Sequence, residues 1–144
     1  MIEKVIIENK VHAIIIRSDH YEPEGGVRFV TEDNYSQQMA YMHHEKGKII
    51  DAHIHNHEHR DVVDMQEVLV IRKGKLRVDF YSNDRQYFGS KEVNSGDIIL
   101  LVYGGHGFEV LEEIEMVEIK QGPYLGDRDK VRFQGVDSAC VKWI

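Results

Sequence analysis

The sequence predicts an all-β domain, and three observations support this prediction. Valine and isoleucine together supply 31 of the 144 residues, whereas leucine and alanine together supply only 10. β-branched side chains lose rotamer freedom in helices and pack well on pleated sheets. Short apolar stretches recur about every 8–12 residues between turn signals, with no long helical period. Such spacing is typical of a sandwich or of a barrel that closes on itself and leaves no edge.

The first 35 residues are predicted to form N-terminal strands. Glu3–Ile7 and His12–Arg17 are rich in β-branched residues, and Asn9-Lys10 between them favours a turn. Gly25-Gly26 indicates a loop, because glycine interrupts regular structure, and Val27–Thr31 then follows as a short strand. These strands precede the main barrel, which we expect to span about residues 36–120.

The first half of the barrel core contains two predicted strands and a loop. Ser36–His44 alternates weakly, and we expect it to pair with Lys48–His55 across a turn at Gly47. Asn56–Met65 is polar and charged, which predicts a loop.

The second half of the core consists of short apolar stretches with glycine turns between them. Lys73-Gly74 is expected to form the turn of a hairpin, and Asn94–Asp97 is a second strong turn. Residues 121–144 are predicted to be an irregular tail, with one candidate strand at Lys130–Phe133. The strands expected in this half are Glu67–Arg72, Leu76–Tyr81, Tyr87–Val93, Ile98–Val102, Phe108–Leu111 and Glu115–Lys120.

Charge and hydropathy exclude several classes of function. The net charge of −7 repels phosphate backbones, so we expect no nucleic-acid partner. Apolar stretches such as Ile98–Val102 are far shorter than the roughly 20 residues of a membrane-spanning helix, so we expect no membrane partner. The N-terminus has no basic and apolar signal-peptide pattern, and Cys140 has no second cysteine for a disulfide. We therefore expect a cytoplasmic protein.

A histidine cluster is the strongest indication of chemistry. His53 and His55 are two residues apart, so on a strand they would project from the same face. Imidazoles bind Zn, Cu, Fe and Ni, and an added carboxylate suits iron or manganese. The alternative is a solvated polar face, with Ile50 and Ile54 turned toward the core. The spacing alone leaves both interpretations open.

Two sequence motifs resemble those of the cupin family. Gly47, five further residues, His53 and His55 are similar to the opening of the first cupin motif. Glu67 and Gly74, with six residues between them, are similar to its closing half. Gly96-Asp97 and His106 are similar to the second motif. The chain therefore resembles a small single-domain cupin, whose fold is a double-stranded β-helix or jelly-roll barrel, here with extra N-terminal strands.

The resemblance implies a metal centre inside the barrel mouth. Carried over to this chain, its ligands are His53, His55, Glu67 and His106, around one divalent ion of Fe, Mn, Ni or Zn.

Two departures from the family pattern leave alternatives open. The loop between His55 and Glu67 is longer than usual, so Glu58, Asp61 or Asp64 could replace Glu67 as the carboxylate. His106 stands one position early, a shift that a bulge at Gly104-Gly105 could absorb.

Further polar residues are candidates for substrate contact. The expected lining residues are Gln38, Gln66, His57 and Tyr103, and the expected general acids are Tyr41, Tyr81 and Tyr103, with His53 or His55 as the base. An unperturbed histidine titrates near pH 6.5, which suits proton transfer.

The expected function is action on a small polar substrate. Around Gln66–Tyr81 the chain is similar to cupins of bacterial surface-polysaccharide sugar pathways, which implies a sugar or nucleotide-sugar substrate. A metal-dependent isomerase, epimerase or oxygenase is the first hypothesis. A metal-free isomerase or epimerase and a non-catalytic sugar-binding protein are the alternatives. Because Ile50 and Ile54 need cover from N-terminal strands of the same chain or of a second copy, we also expect a homodimer.

Overall fold

Eight strands and two short 3-10 helices make up the regular structure in the computed structural model, which describes residues 1–144. The predicted all-β class is confirmed. The helices are Gly126–Arg128 and Ser138–Cys140. In chain order the strands are β1 (Ile2–Ile7), β2 (Lys10–Ile16), β3 (Gly26–Phe29), β4 (Ala40–His43), β5 (Glu67–Tyr81), β6 (Tyr87–Asn94), β7 (Ile98–Leu101) and β8 (Gly105–Lys120).

The main sheet is antiparallel and is organised around β5. β8 pairs with the whole length of β5, whereas β7 pairs with its first residues and β6 with its second half. Since a strand has two edges, β6 and β7 share one edge of β5 and β8 occupies the other. β2 and β1 extend the sheet beyond β7. β3 and β4 form a separate two-stranded sheet.

The main sheet curls into a half-barrel because β5 folds back on itself. Leu101 pairs with Glu67 at the start of β5, and Gly105, four residues later, pairs with Tyr81 at its end. Four residues reach at most about 14 Å, whereas a straight strand of this length would extend roughly 45 Å. The ends of β5 are therefore close together at one end of the sheet.

A bulge at Gly74 accompanies this bend. The pairing of β5 with β8 shifts register between Ile71 and Leu76, and Gly74 has a φ of 84°. Its backbone lies against β8, since a Cβ there would be 2.0 Å from the carbonyl oxygen of Glu113. Only glycine combines this left-handed conformation with so close an approach.

Two apolar clusters lie on the two faces of the curled sheet. The larger cluster contains Leu69, Ile71, Leu76 and Phe80 from β5, and the bulge explains why its members change from odd to even numbers. The smaller cluster contains Ile14, Ile16, Val30, Val68, Leu100 and Val102. Met39 and Tyr41, at the β3–β4 sheet, pack against the smaller cluster, so this sheet covers one face of the half-barrel.

Several predicted elements of the first half of the core are corrected by the structure. The N-terminal strands form as predicted, but Lys48–His55 is not a strand. β4 pairs with β3, with Gly26 opposite His43, so the expected partner across Gly47 is not used. Ile50 and Ile54 are 60% and 93% exposed in the single chain, and the homodimer stays a prediction.

Other corrections concern turns that the chain does not make. The expected hairpin at Gly74 is a bulge inside the single strand β5. Phe108–Leu111 and Glu115–Lys120 likewise join into β8, because that strand follows β5 around the bend. Lys130–Phe133 forms no strand, while Lys142 and Ile144 of the tail hydrogen-bond to Ser90 at the outer edge of β6. The structure has no helix long and apolar enough to span a membrane.

An ion-pair network joins β1 and β2 to the turn between β6 and β7. The Arg17 guanidinium donates to Glu3 at 2.7 Å and to Asp97 at 2.8 Å. Lys91 lies 3.3 Å from the Glu3 carboxylate. The hydrogen bond from Arg17 lowers the pKa of Glu3, against the opposing effect of burial, and the charges of Arg17 and Lys91 lower it further.

We expect Gly74→Ala to destabilise the protein more than Gly26→Ala. Both glycines have a positive φ, which costs a residue with a Cβ about 1–2 kcal/mol. A Cβ at Gly26 meets no atom within 4 Å, whereas at Gly74 it collides with β8. Overpacking raises the expected loss for Gly74→Ala to about 2–5 kcal/mol in total. Urea denaturation measures both losses, and equal losses would contradict the close approach of β5 and β8.

We expect Glu3→Gln to lower the free energy of unfolding at pH 7 by about 1.5–3 kcal/mol, the range for hydrogen bonds to charged groups. A carboxyl whose pKa is lowered by folding stabilises the protein above its unfolded pKa, and this stabilisation is lost as the pH falls through the folded pKa. The difference between wild type and variant should therefore begin to shrink below about pH 4.3, the unfolded pKa of glutamate, and shrink further as the pH falls toward the lowered folded pKa. Urea denaturation from pH 3 to 7 tests this, with Glu24→Gln, an exposed residue without an ion pair, as the control.

Candidate functional site

Glu67 and His106 meet inside the half-barrel. Their side chains approach to 3.0 Å, between Oε2 of Glu67 and Nε2 of His106. Glu67 begins β5 and shares a face with Leu69 and Ile71, while His106 is opposite Phe80 near the end of β5. The folding back of β5 therefore produces this contact, since both side chains project to the face of the larger apolar cluster.

Glu67 is a buried carboxylate held among cationic groups. It is 7% exposed, and its other oxygen, Oε1, lies 3.6 Å from the Lys120 ammonium. The hydrogen bond from His106 lowers the pKa of Glu67. Burial acts in the opposite direction, and the charges of His106, Lys120 and Lys130 add to the lowering. Glu67 is thus held as a carboxylate that pairs with cations.

A cleft opens beside this pair, and we call it the His106 cleft. Its volume is about 370 Å³, which is in the range of small-molecule sites. The cleft is lined by Tyr81, Gly104, Gly105, His106, Lys130, Val131, Arg132 and Phe133. β5, the turn before β8 and the C-terminal tail therefore all contribute to its wall.

Tyr81 contributes to the wall of the His106 cleft. It is 3% exposed, and its hydroxyl oxygen accepts a hydrogen bond from the backbone N–H of Val136 at 2.9 Å. Burial raises the pKa of Tyr81. The C-terminal tail therefore holds the Tyr81 hydroxyl in place.

His53 and His55 lie on an exposed segment away from regular structure. Their ring centroids are 5.3 Å apart, and both side chains are exposed. Between residues 49 and 63, each hydrogen bond joins two residues that are two positions apart: His53 with Asp51, His59 with Asp61, and Arg60 with Glu58. No hydrogen bond fixes this stretch to the half-barrel.

In this arrangement the four predicted ligands do not fit one metal ion. Glu67 and His106 are together, but no group of three or more His, Cys, Asp or Glu side chains is arranged to hold a metal. The alternative carboxylates Glu58, Asp61 and Asp64 are exposed on the same segment as the histidines. The metal centre stays a prediction.

Gln66 and Tyr103 share a second cleft, which we call the Gln66 cleft. Its volume is about 340 Å³, and Asp61 and Asp64 also line it. The Gln66 side chain accepts a hydrogen bond from the backbone N–H of Gln37, so it also fixes the loop before β4. Tyr103 accepts hydrogen bonds from Lys10 at 3.1 Å and from Asn83 at 2.9 Å.

The remaining predicted residues lie elsewhere. Gln38 bonds to Thr31 and to three backbone carbonyls of residues 32–35, so it stabilises that turn. Tyr41 donates to the carbonyl of His20 at 3.4 Å and packs against the His20 ring. His57 is exposed.

The sequence analysis did not identify three cationic residues of this site or a buried histidine. Lys120, Lys130 and Arg132 carry no motif signal. Pairing of β8 with β5 places Lys120 opposite Glu67, and folding of the tail brings Lys130 and Arg132 to the site. His12 is 3% exposed beneath the turn at Gly104, and its Nδ1 has no hydrogen-bond partner. Burial lowers the pKa of His12, which favours the neutral ring.

Comparison with known proteins adds no family assignment. No family model, no curated protein and no solved structure matches the chain. The curled half-barrel is established by the structure itself, and the cupin resemblance stays a prediction from the sequence motifs.

Proposed function

We propose that the protein is a cupin-like, metal-binding protein that acts on a small polar substrate, preferably a sugar or nucleotide sugar. The contact of Glu67 with His106 carries this proposal. These residues come from two separate sequence motifs, and the fold brings both to one place beside a cleft. The ligand set we propose is His53, His55, Glu67 and His106, around one divalent ion of Fe, Mn, Ni or Zn.

The length of the chain permits the proposed ligand set after residues 49–63 rearrange. Twelve residues from His55 to Glu67 reach up to about 40 Å when extended, and only local hydrogen bonds hold residues 49–63. The two histidines would lie side by side if this segment were extended, because apolar and polar residues alternate along it. The apolar residues are Ile50, Ala52 and Ile54, and the polar residues are Asp51, His53 and His55.

The residues of the His106 cleft define what the chain contributes to the reaction. When bound, a divalent ion would act as a Lewis acid on a substrate oxygen. His106 contacts the substrate from the cleft wall, Glu67 behind it holds the imidazole ring, and Tyr81 lines the same cleft. The apolar cluster behind the pair limits access of water from that side.

We expect protein purified without added metal to contain about one divalent ion per chain. His53→Ala and His106→Ala should each release the ion, because each removes a ligand, while His57→Ala should retain it. Elemental analysis measures this. The metal content of Glu67→Gln is compared with that of Glu58→Gln and of Asp61→Asn. The variant that releases the ion identifies the carboxylate ligand.

A second measurement follows the exposed segment directly. Trypsin cuts after Lys48 and Arg60, which are exposed, and metal addition should slow this cleavage in wild type but not in His53→Ala. Metal that is retained in both His53→Ala and His106→Ala would contradict the proposed ligand set.

A metal-free isomerase or epimerase is the second candidate function. The Lys120 ammonium favours it, because a cation already lies beside Glu67 at 3.6 Å. In this case His106, oriented by Glu67, is the general base, and Tyr81 in the same cleft is the general acid. His53 and His55, the bases expected from the sequence, are exposed.

We expect Tyr81→Phe to reduce catalysis by the metal-free protein about 100-fold or more, the usual effect of a general acid. Incorporation of solvent deuterium into a nucleotide-linked keto sugar measures this step. The control is Tyr124→Phe, since Tyr124 is 84% exposed. If the untreated protein contains stoichiometric metal and the chelator-treated wild-type protein incorporates no deuterium, the metal-free candidate is eliminated in favour of the metal-binding one.

A further inference from the structure

The His106 cleft differs in charge from the other large clefts of this acidic protein. The chain has 25 acidic and 18 basic residues, a net charge of −7. Each of the four other large clefts includes at least two Asp or Glu residues in its wall. The His106 cleft includes none, although its wall contains Lys130 and Arg132. Such a local excess of positive charge favours an anion.

The two cations of this cleft have no strong partner of their own. Lys130 has no salt bridge within 4 Å, and its charge acts on Glu67 only over a longer distance. Arg132 makes only a 3.6 Å contact with Asp127, and both of these side chains are more than 70% exposed. Exposed pairs of this kind contribute little, so the guanidinium is available to another anion. Lys120, by contrast, is already engaged by Glu67, Glu118 and Asp129.

An aromatic wall lies next to these cations. The rings of Tyr81 and Phe133 pack edge to face with centroids 5.1 Å apart, and both line the cleft. An aromatic surface suits the apolar face of a sugar ring. The wall therefore combines groups for a polar ring with groups for a negative charge.

We propose that the His106 cleft binds an anionic group of the substrate, a phosphate ester or a carboxylate carried by a sugar, through Lys130 and Arg132. This rests on the proposed function, because it places the sugar beside Glu67 and His106. Arg132 can bind the oxygens of either anion with two parallel hydrogen bonds, and Lys130 adds a point charge. The substrate class is thus an acidic or phosphorylated sugar.

Isothermal titration with glucose 1-phosphate, glucuronate and glucose tests this inference. Wild-type protein should bind at least one anionic sugar about tenfold or more tightly than glucose, because charge-assisted hydrogen bonds contribute to one complex only. The double variant Lys130→Gln/Arg132→Gln should lose most of this preference. The matched control Lys4→Gln/Arg72→Gln removes the same charge at exposed positions outside the cleft and should retain it.

The two anionic sugars distinguish a phosphate site from a carboxylate site. The inference would be overturned if all three ligands bound equally or if none bound. It would also be overturned if the control variant lost the preference for the anionic sugar to the same extent.

The metal content of the same samples is also measured. If the protein contains metal but shows no preference for anionic sugars, only the anion site is refuted. Anion preference in a protein without metal refutes the proposed ligand set alone. A melting curve of each variant confirms folding, and Lys130→Gln alone replaces the double variant if that does not fold.

Discussion

The bulged bend of β5 determines where the candidate functional side chains lie. If β5 were straight, Glu67 and the partner of His106 would be at opposite ends of a strand of roughly 45 Å. Gly74 permits the bend, since its backbone lies against β8 in a conformation that other residues adopt only with strain. β8 follows the same curve, so the start of each long strand is brought to the same end of the half-barrel. The site is thus a consequence of sheet curvature.

Local propensity predicted the strands of this fold better than their connections. The β-branched runs of β1, β2 and β7 appear in the structure because burial and propensity agree there. Gly74 was misinterpreted because a glycine with positive φ serves a hairpin turn and a bulge equally well. The choice depends on the partner strand, and that partner, β8, is more than thirty residues away in sequence. Lys48–His55 alternates as a strand does, yet it has no paired edge in this structure.

The site was predictable where residue type and motif spacing coincided. Glu67 and His106 were identified in this way, and the structure places them in contact. Lys130 and Arg132 could not be identified, because surface cations are common and both residues lie in the irregular stretch between the two 3-10 helices of the tail. The burial of Tyr81 also depends on that tail, since Val136 binds its hydroxyl. Long-range packing of an irregular segment has no periodic signature that a sequence analysis can detect.

The exposed segment relates the fold to the proposed metal. Ile54 and Val63 are 93% and 90% exposed, and covering a side chain of this size contributes about 1.5–3 kcal/mol. Fixing the backbone costs about 1–2 kcal/mol for each residue, so apolar burial alone leaves ordering of the whole segment unfavourable. Ligation by His53 and His55 would supply a further favourable term, because metal binding and ordering of the ligands are thermodynamically linked. In our proposal the apparent metal affinity is therefore lower than that of a preformed site, and it depends on the sequence between His55 and Glu67 as well as on the ligands.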